Sequence, residues 1–330
     1  MDIELTELLT RLLQANHVSD DDILQLRGAI WADEAISEPV VDALFAVNNR
    51  LDNHTPVWTE FFVEAVEYFL LNQFYPQSII NDAKAKWLHS KIDKNGHVGS
   101  YPEIELLISI IEHAQGVPES LKTYARAQIE MIIISGEGPT RDNDTCTANR
   151  INAAEVDLLR RLIFADGDGD GHAGKAVIVD PQVADMLFRI KNTVLLNDNA
   201  PSWLTLFVEA VGNHLMGHSD YCLPSHDHDK LRNHTPALDN FFKRTLPADL
   251  IGSGTIAQAF KTLFPKQEDR FAKALAIDNS HLISVQEAGW LKTHIAADDQ
   301  TDAYEKALLT FILDEAEHAP SLFENLRKRA

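Results

Sequence analysis

The chain has 330 residues, with 50 acidic and 29 basic side chains, a formal charge of −21 and two cysteines. Charge of that sign repels phosphate backbones and anionic membrane surfaces, which argues against nucleic acid as a partner and favours cations or basic protein segments. Cys146 and Cys222 are too few for a disulfide framework and match no zinc spacing, so a reducing compartment is expected.

The opening MDIELTELLTRLLQANH carries acids where a secretory leader would carry lysine or arginine. No run reaches the length of a bilayer span, so the expectation is a cytoplasmic protein without membrane insertion. In chain order, ILQLRGAIWADEA (23–35) and VVDALFAVNN (40–49) lead into TPVWTEFFVEAVEYFL (55–70). There Trp58, Phe61, Phe62, Ala65, Val66, Phe69 and Leu70 recur at the spacing of one helix face, as do Ile104, Leu107, Ile108 and Ile111 further on. MIIIS (131–135) is β-branched but continues a helical pattern, and AVIVD (176–180) is long enough for one bridge only. Pro56, Pro118 and Pro201 fall near first turns, where a missing N–H costs nothing, and Ser284 with Glu287 spells a capping box. Aromatic residues at helical spacing, Trp58 and Trp203 among them, are read as packing faces between helices and not as a cofactor pocket.

The second part of the chain repeats the first. LLRRLIFADGDGDG (158–171) pairs with 23–35, VADMLFRIKN (183–192) with 40–49, and APSWLTLFVEAVGNHL (200–215) with 55–70. LISVQEAGWLKTHIA (282–296) matches IINDAKAKWLHSKID (79–93) with Trp290 on Trp87, and LLTFILDEAEHAPSLF (308–323) matches LLISIIEHAQGVPESL (106–121). The sequence therefore reads as an all-α protein of two tandem homologous helical domains built from helical hairpins, 1–145 and 146–330. The second copy carries inserts at about 166–178 and 218–264.

The first insert, DGDGDGHAG, sets Asp166, Asp168 and Asp170 on alternate residues ahead of Gly171, as the first ligands and the turn glycine of an EF-hand-like calcium loop would stand. The register then departs, with Ala173 at position 8 and Val177 at position 12; Asp180, three residues further on, closes a site only in a longer loop. A divalent cation site on Asp166, Asp168, Asp170 and Asp180 and a solvated turn are both open readings. In a second cluster, His214 and His218 stand one helical turn apart, with Cys222, His226 and His228 following; this is either a transition-metal site or an exposed histidine-rich loop. There is no phosphate loop, dinucleotide fingerprint, nucleophile elbow or HExxH, and Glu103/Glu105 and Glu315/Glu317, two apart, face different sides of a helix.

Three turns share a pattern: IWADEAISEPVVDALF (30–45), KIDKNGHVGSYPEIELL (91–107) and ALAIDNSHLISVQEAGWL (274–291). Each has an Asx-rich turn, one aliphatic residue (Ile36, Val98, Ile283), a small polar residue and an acidic helix start. The pattern resembles the hairpins of TerB-like, tellurite-resistance-type helical proteins and, more loosely, EF-hand loops. The resemblance implies an all-helical fold and a link with cations or stress, and it does not imply an enzyme. The residues by themselves require only a capped turn whose aliphatic residue plugs between two helices. In the second turn Lys91 and Pro102 occupy the first and last ligand positions around Asp93 and Asn95, which argues against calcium there. The functional expectation is a non-catalytic interaction module for a protein partner with a basic or amphipathic segment, with a cation-binding protein as the alternative and an enzyme as the third.

Overall fold

Twelve α-helices dominate the described residues of the computed structural model, which are 3–31, 36–141, 148–165, 179–215, 283, 285–295 and 301–315. The packing divides into two compact units, Met1–His172 and Ala173–Ala330. The fold class is all-α. No helix among the described residues is long and apolar enough to cross a membrane.

The first unit contains α1 (Ile3–Gln14), α2 (Asp20–Trp31), α3 (Glu38–Asn48), α4 (Pro56–Tyr68), α5 (Asp82–Ile92), α6 (Tyr101–His113), α7 (Glu119–Ser135) and α8 (Ala153–Phe164). A π-helical turn, Phe69–Gln73, extends α4, and a hairpin of two-residue strands, β1 (Asp93–Lys94) and β2 (His97–Val98), joins α5 to α6. Helix α6 is the centre of this unit. Residues 102–104 and 106–111 are all buried, because α4 packs on one side of it and α7 and α8 on the others. The stretch MIIIS forms the end of α7.

Local chemistry starts these helices where the sequence leads one to expect. Thr55 accepts a hydrogen bond from Trp58 N with Pro56 in the first turn of α4, and Asn81 accepts from Lys84 N at the start of α5. Pro118 is the residue before α7, and the helix stops at Gly136, whose left-handed φ of 71° suits glycine.

The second unit contains α9 (Pro181–Val194), α10 (Ser202–Leu215), α11 (Val285–Ile295) and α12 (Ala303–Glu315), with α10 packed on α9 and α12. Positions paired by sequence hold the same geometry in each unit. Trp58 is 1% exposed and Trp203 0%, so both indoles fill interiors. Phe45 meets Phe62 edge-on at 5.1 Å, and Phe188 meets Phe207 edge-on at 5.2 Å. Trp87 lies against Phe45 and Trp290 against Phe188, and each indole N–H donates to a carboxylate of the facing helix, though at different positions: Glu38, the first residue of α3, and Asp185, the fifth of α9.

The repeat read from the sequence begins its second copy at 146, whereas the packing boundary falls after His172. Helix α8 is the difference, and its side chains give the physical reason. Arg161 takes Glu112 with two nitrogens, at 3.0 and 2.7 Å, and Glu105 with a third, at 2.7 Å, clamping α8 to α6.

Candidate functional site

Asp166, Asp168 and Asp170 lie outside the described residues. Asp180 is described, and its carboxylate is the N-cap of α9, accepting from Val183 N at 2.9 Å. Its proline neighbour is the first residue of the helix, so Asp-Pro here spells a helix start. In the histidine cluster, His214 Nδ1 lies 2.8 Å from the carbonyl oxygen of Val179 and its ring meets Trp290 edge-on. His218, Cys222, His226 and His228 lie outside the described residues. Among the described residues, no group of three or more His, Cys, Asp or Glu side chains is placed to hold a metal ion.

The KIDKNGHVGSY turn is described throughout. Asn95 and Gly96, with φ of 61° and 90°, form the two-residue reversal between β1 and β2. Asp93 Oδ1 accepts from Gly96 N at 2.9 Å and Oδ2 from the Tyr124 hydroxyl at 3.1 Å, with His89 Nε2 at 3.7 Å. The Gly96 hydrogen bond, with help from Tyr124 and the imidazoles of His89 and His97, holds this carboxyl below its usual pKa although burial opposes it. Gln128 of α7 grips the turn from the other side, accepting from Val98 N at 2.9 Å and donating to Gly96 O at 3.0 Å. The two lysines of the turn reach away from Asp93 to other acceptors. Lys91 Nζ reaches Asp42 at 2.5 Å, and Lys94 Nζ bonds Asn49 and stands 3.5 Å from Glu103. This turn is therefore an internally satisfied clamp. Its plug Val98 is 4% exposed, and the plugs of the other two turns, Ile36 and Ile283, are 3% and 5% exposed.

The strongest electrostatic pattern is one the local motifs only half announce. An acid at the third position of a helix reaches back to the cap and meets a cation from elsewhere. Asp22 accepts from Ser19 and from Arg11; burial works to raise its pKa, and those bonds outweigh it, so the carboxyl is held low. Glu155 accepts from Asn152 N at 2.9 Å and pairs with Arg141, and Glu305 accepts from Asp302 N at 3.1 Å and pairs with Lys191. Glu103 accepts from Gly99 N at 3.1 Å, with Lys94 beyond it. Glu103, Glu155 and Glu305 are all buried, and burial pushes each carboxyl above its ordinary pKa while the cations pull the other way. The spacings Ser19/Asp22, Asn152/Glu155 and Asp302/Glu305 are visible in the sequence, but the cations that answer them are not.

Comparison of the chain with protein-family models, curated proteins and solved structures gave no match.

Proposed function

We propose that this protein is a non-catalytic, acidic helical module that holds a basic or amphipathic segment of another protein. The location of the charge carries the reading. Among the described residues, the buried ionisable side chains are four cations, Lys84, Arg126, Arg141 and Lys191, and three carboxylates, Glu103, Glu155 and Glu305. The buried set thus carries a net charge of +1 and takes up no excess of acid, so all of the excess negative charge in the formal −21 belongs to residues outside this set. A surface of one sign raises the encounter rate with cationic segments and rejects anionic ones.

Rigid internal pairing supports the same reading. Lys84 is 0% exposed and donates to the carbonyl oxygens of Leu70 at 2.5 Å, Ile79 at 2.9 Å and Pro76, closing the end of α4, while burial lowers its pKa. A scaffold locked in this way presents its outer faces with little ordering cost on binding. The matched aromatic frames of the two units support descent from one duplicated bundle, and the TerB-like pattern of the turns agrees with a helical, non-enzymatic role.

The test is fluorescence anisotropy with a labelled helical peptide of leucine and lysine, followed across added salt. The expected result is saturable binding that weakens steadily as ionic strength rises. Binding that ignores ionic strength, or no binding at low salt, rejects the reading.

A further inference from the structure

Helices α2 and α4 lie side by side and run in the same direction. Arg27 Nη1 meets Glu64 at 2.5 Å with its guanidinium over the Phe61 ring, Trp31 meets Tyr68 edge-on at 4.8 Å, and Ile36 N donates to Gln73 Oε1 at 2.7 Å. These pairings advance in step, so the start of α2 lies level with the start of α4, and Leu24 lies level with the turn holding Glu60 and Phe61.

The outward side of this pair combines two properties. Leu24 and Val57 are 66% and 40% exposed, apolar side chains that the unit does not cover. Around them stand the exposed acids Asp20, Asp21, Glu60 and Glu64, of which Glu64 is paired with Arg27. One turn beyond Leu24 on the same stripe is Gly28, where an added Cβ would touch nothing within 4 Å. A glycine in mid-helix is unfavourable relative to alanine, and here it leaves the backbone open to close approach by a second helix.

We infer that the α2–α4 face is the docking surface of the module, and that its occupant is a basic amphipathic helix of a protein partner. This rests on the interaction-module reading and names its surface. The leucine and valine take the partner's apolar stripe, and the acids on either side take its flanking lysines or arginines. The acids disfavour a phosphate backbone or an anionic membrane at the same place.

The experiment uses the full chain, the leucine–lysine peptide and a scrambled peptide of the same composition that cannot form an apolar stripe. Leu24→Asp is expected to weaken binding of the first peptide by at least about tenfold, as loss of a central apolar anchor does. Ile134→Asp, on the 38% exposed Ile134 of α7, is the matched control and should leave affinity unchanged. Both variants are checked for an unchanged melting temperature, and a Leu24→Ser variant with the same expected loss covers a failure of the first to fold. Equal binding by the scrambled peptide, or full affinity in the Leu24 variants, overturns the surface while leaving the general reading intact. Failure of both peptides to bind the unaltered chain removes the general reading, and the surface with it.

Discussion

Asn48 of α3 and Lys191 of α9 stand at equivalent places in the two units, and the exchange of an amide for an ammonium rearranges every polar contact around them. In the first unit Asn48 donates to Ser100 Oγ at 2.9 Å and accepts from Trp58 Nε1 at 3.0 Å, using both ends of its amide. In the second, Lys191 donates to Asp302 at 2.5 Å and Glu305 at 2.6 Å and has no acceptor to offer, so the buried Trp203 Nε1 has no hydrogen-bond partner among the described residues. The consequences reach the helix caps. Ser100, held by Asn48, makes no side-chain cap for α6, whereas Asp302 caps α12 through Tyr304 N and Glu305 N. Glu103 Oε1 is left without a hydrogen bond, its lysine 3.5 Å away and 42% exposed, while Glu305 is matched by a lysine only 2% exposed. One apolar frame thus carries either a neutral hub or a buried ion cluster, and each choice orphans a different atom.

The largest expected effect follows directly. Lys191→Met leaves Asp302 and Glu305 without their buried cation, and should cost the second unit about 3–5 kcal/mol at neutral pH. Asn48→Leu removes hydrogen bonds between uncharged groups and should cost the first unit about 1–3 kcal/mol. Urea denaturation of each variant measures both. Equal losses would break the comparison, because they would mean that the ion cluster is no more demanding than the amide hub.

Periodicity made the helices and the buried tryptophans legible, because burial on one helix face repeats within a few residues, and the shared Asx-rich turn pattern did the same for the plugs Ile36, Val98 and Ile283. The ion pairs were not legible for the opposite reason: Lys191 finds Glu305, and Arg161 finds Glu112, across long separations that leave no local trace. The packing boundary was hidden too, since the repeat pattern assigns α8 to the second copy while its arginine clamp fixes it to α6. The cap at Asp180 was legible from the proline after it, while the three aspartates it would join in a cation site lie outside the described residues. The α2–α4 face depends on Leu24 pointing outwards while Ile23 and Leu26, 1% and 0% exposed, point in, which the run ILQL does not distinguish.

A second expectation sharpens the contrast between the two buried glutamates. Glu305→Gln strips one carboxylate from the buried lysine while leaving Asp302, and should cost about 1–3 kcal/mol. Glu103→Gln should be neutral or stabilising by up to about 1 kcal/mol at pH 7, because Lys94 can turn into solvent and glutamine still reaches Gly99 N. The pH dependence has a definite sign. Burial raises the folded-state pKa of Glu103 above its unfolded value, so the stability linked to this group is complete below the unfolded pKa and is lost as pH rises through the folded one. Thermal melts from neutral pH down towards the ordinary glutamate range should show that gain in the unaltered chain and lose that part of it in Glu103→Gln. An unchanged profile in the variant would mean that Glu103 does not titrate in this window.

The smallest effect is the clearest in sign. Where α4 crosses α6, Glu67 accepts from the Ser109 hydroxyl and pairs with His113 at 2.9 Å; the equivalent crossing of α10 and α12 puts Gly212 against the ring of Phe311. The bulk has moved from one helix to the other, so a Cβ on Gly212 would come 2.5 Å from Phe311 Cε1. Alanine favours a helix over glycine by about 1 kcal/mol wherever it has room. At Gly28 it has room, and Gly28→Ala should raise the melting temperature of the first unit. At Gly212 the same gain is set against overpacking of about 1–3 kcal/mol, so Gly212→Ala should be neutral to destabilising, and Phe311→Leu combined with it should recover part of the loss. If both glycine variants stabilised alike, Phe311 would have to yield freely, and the crossing of α10 and α12 would not be the tight mirror of the polar crossing in the first unit.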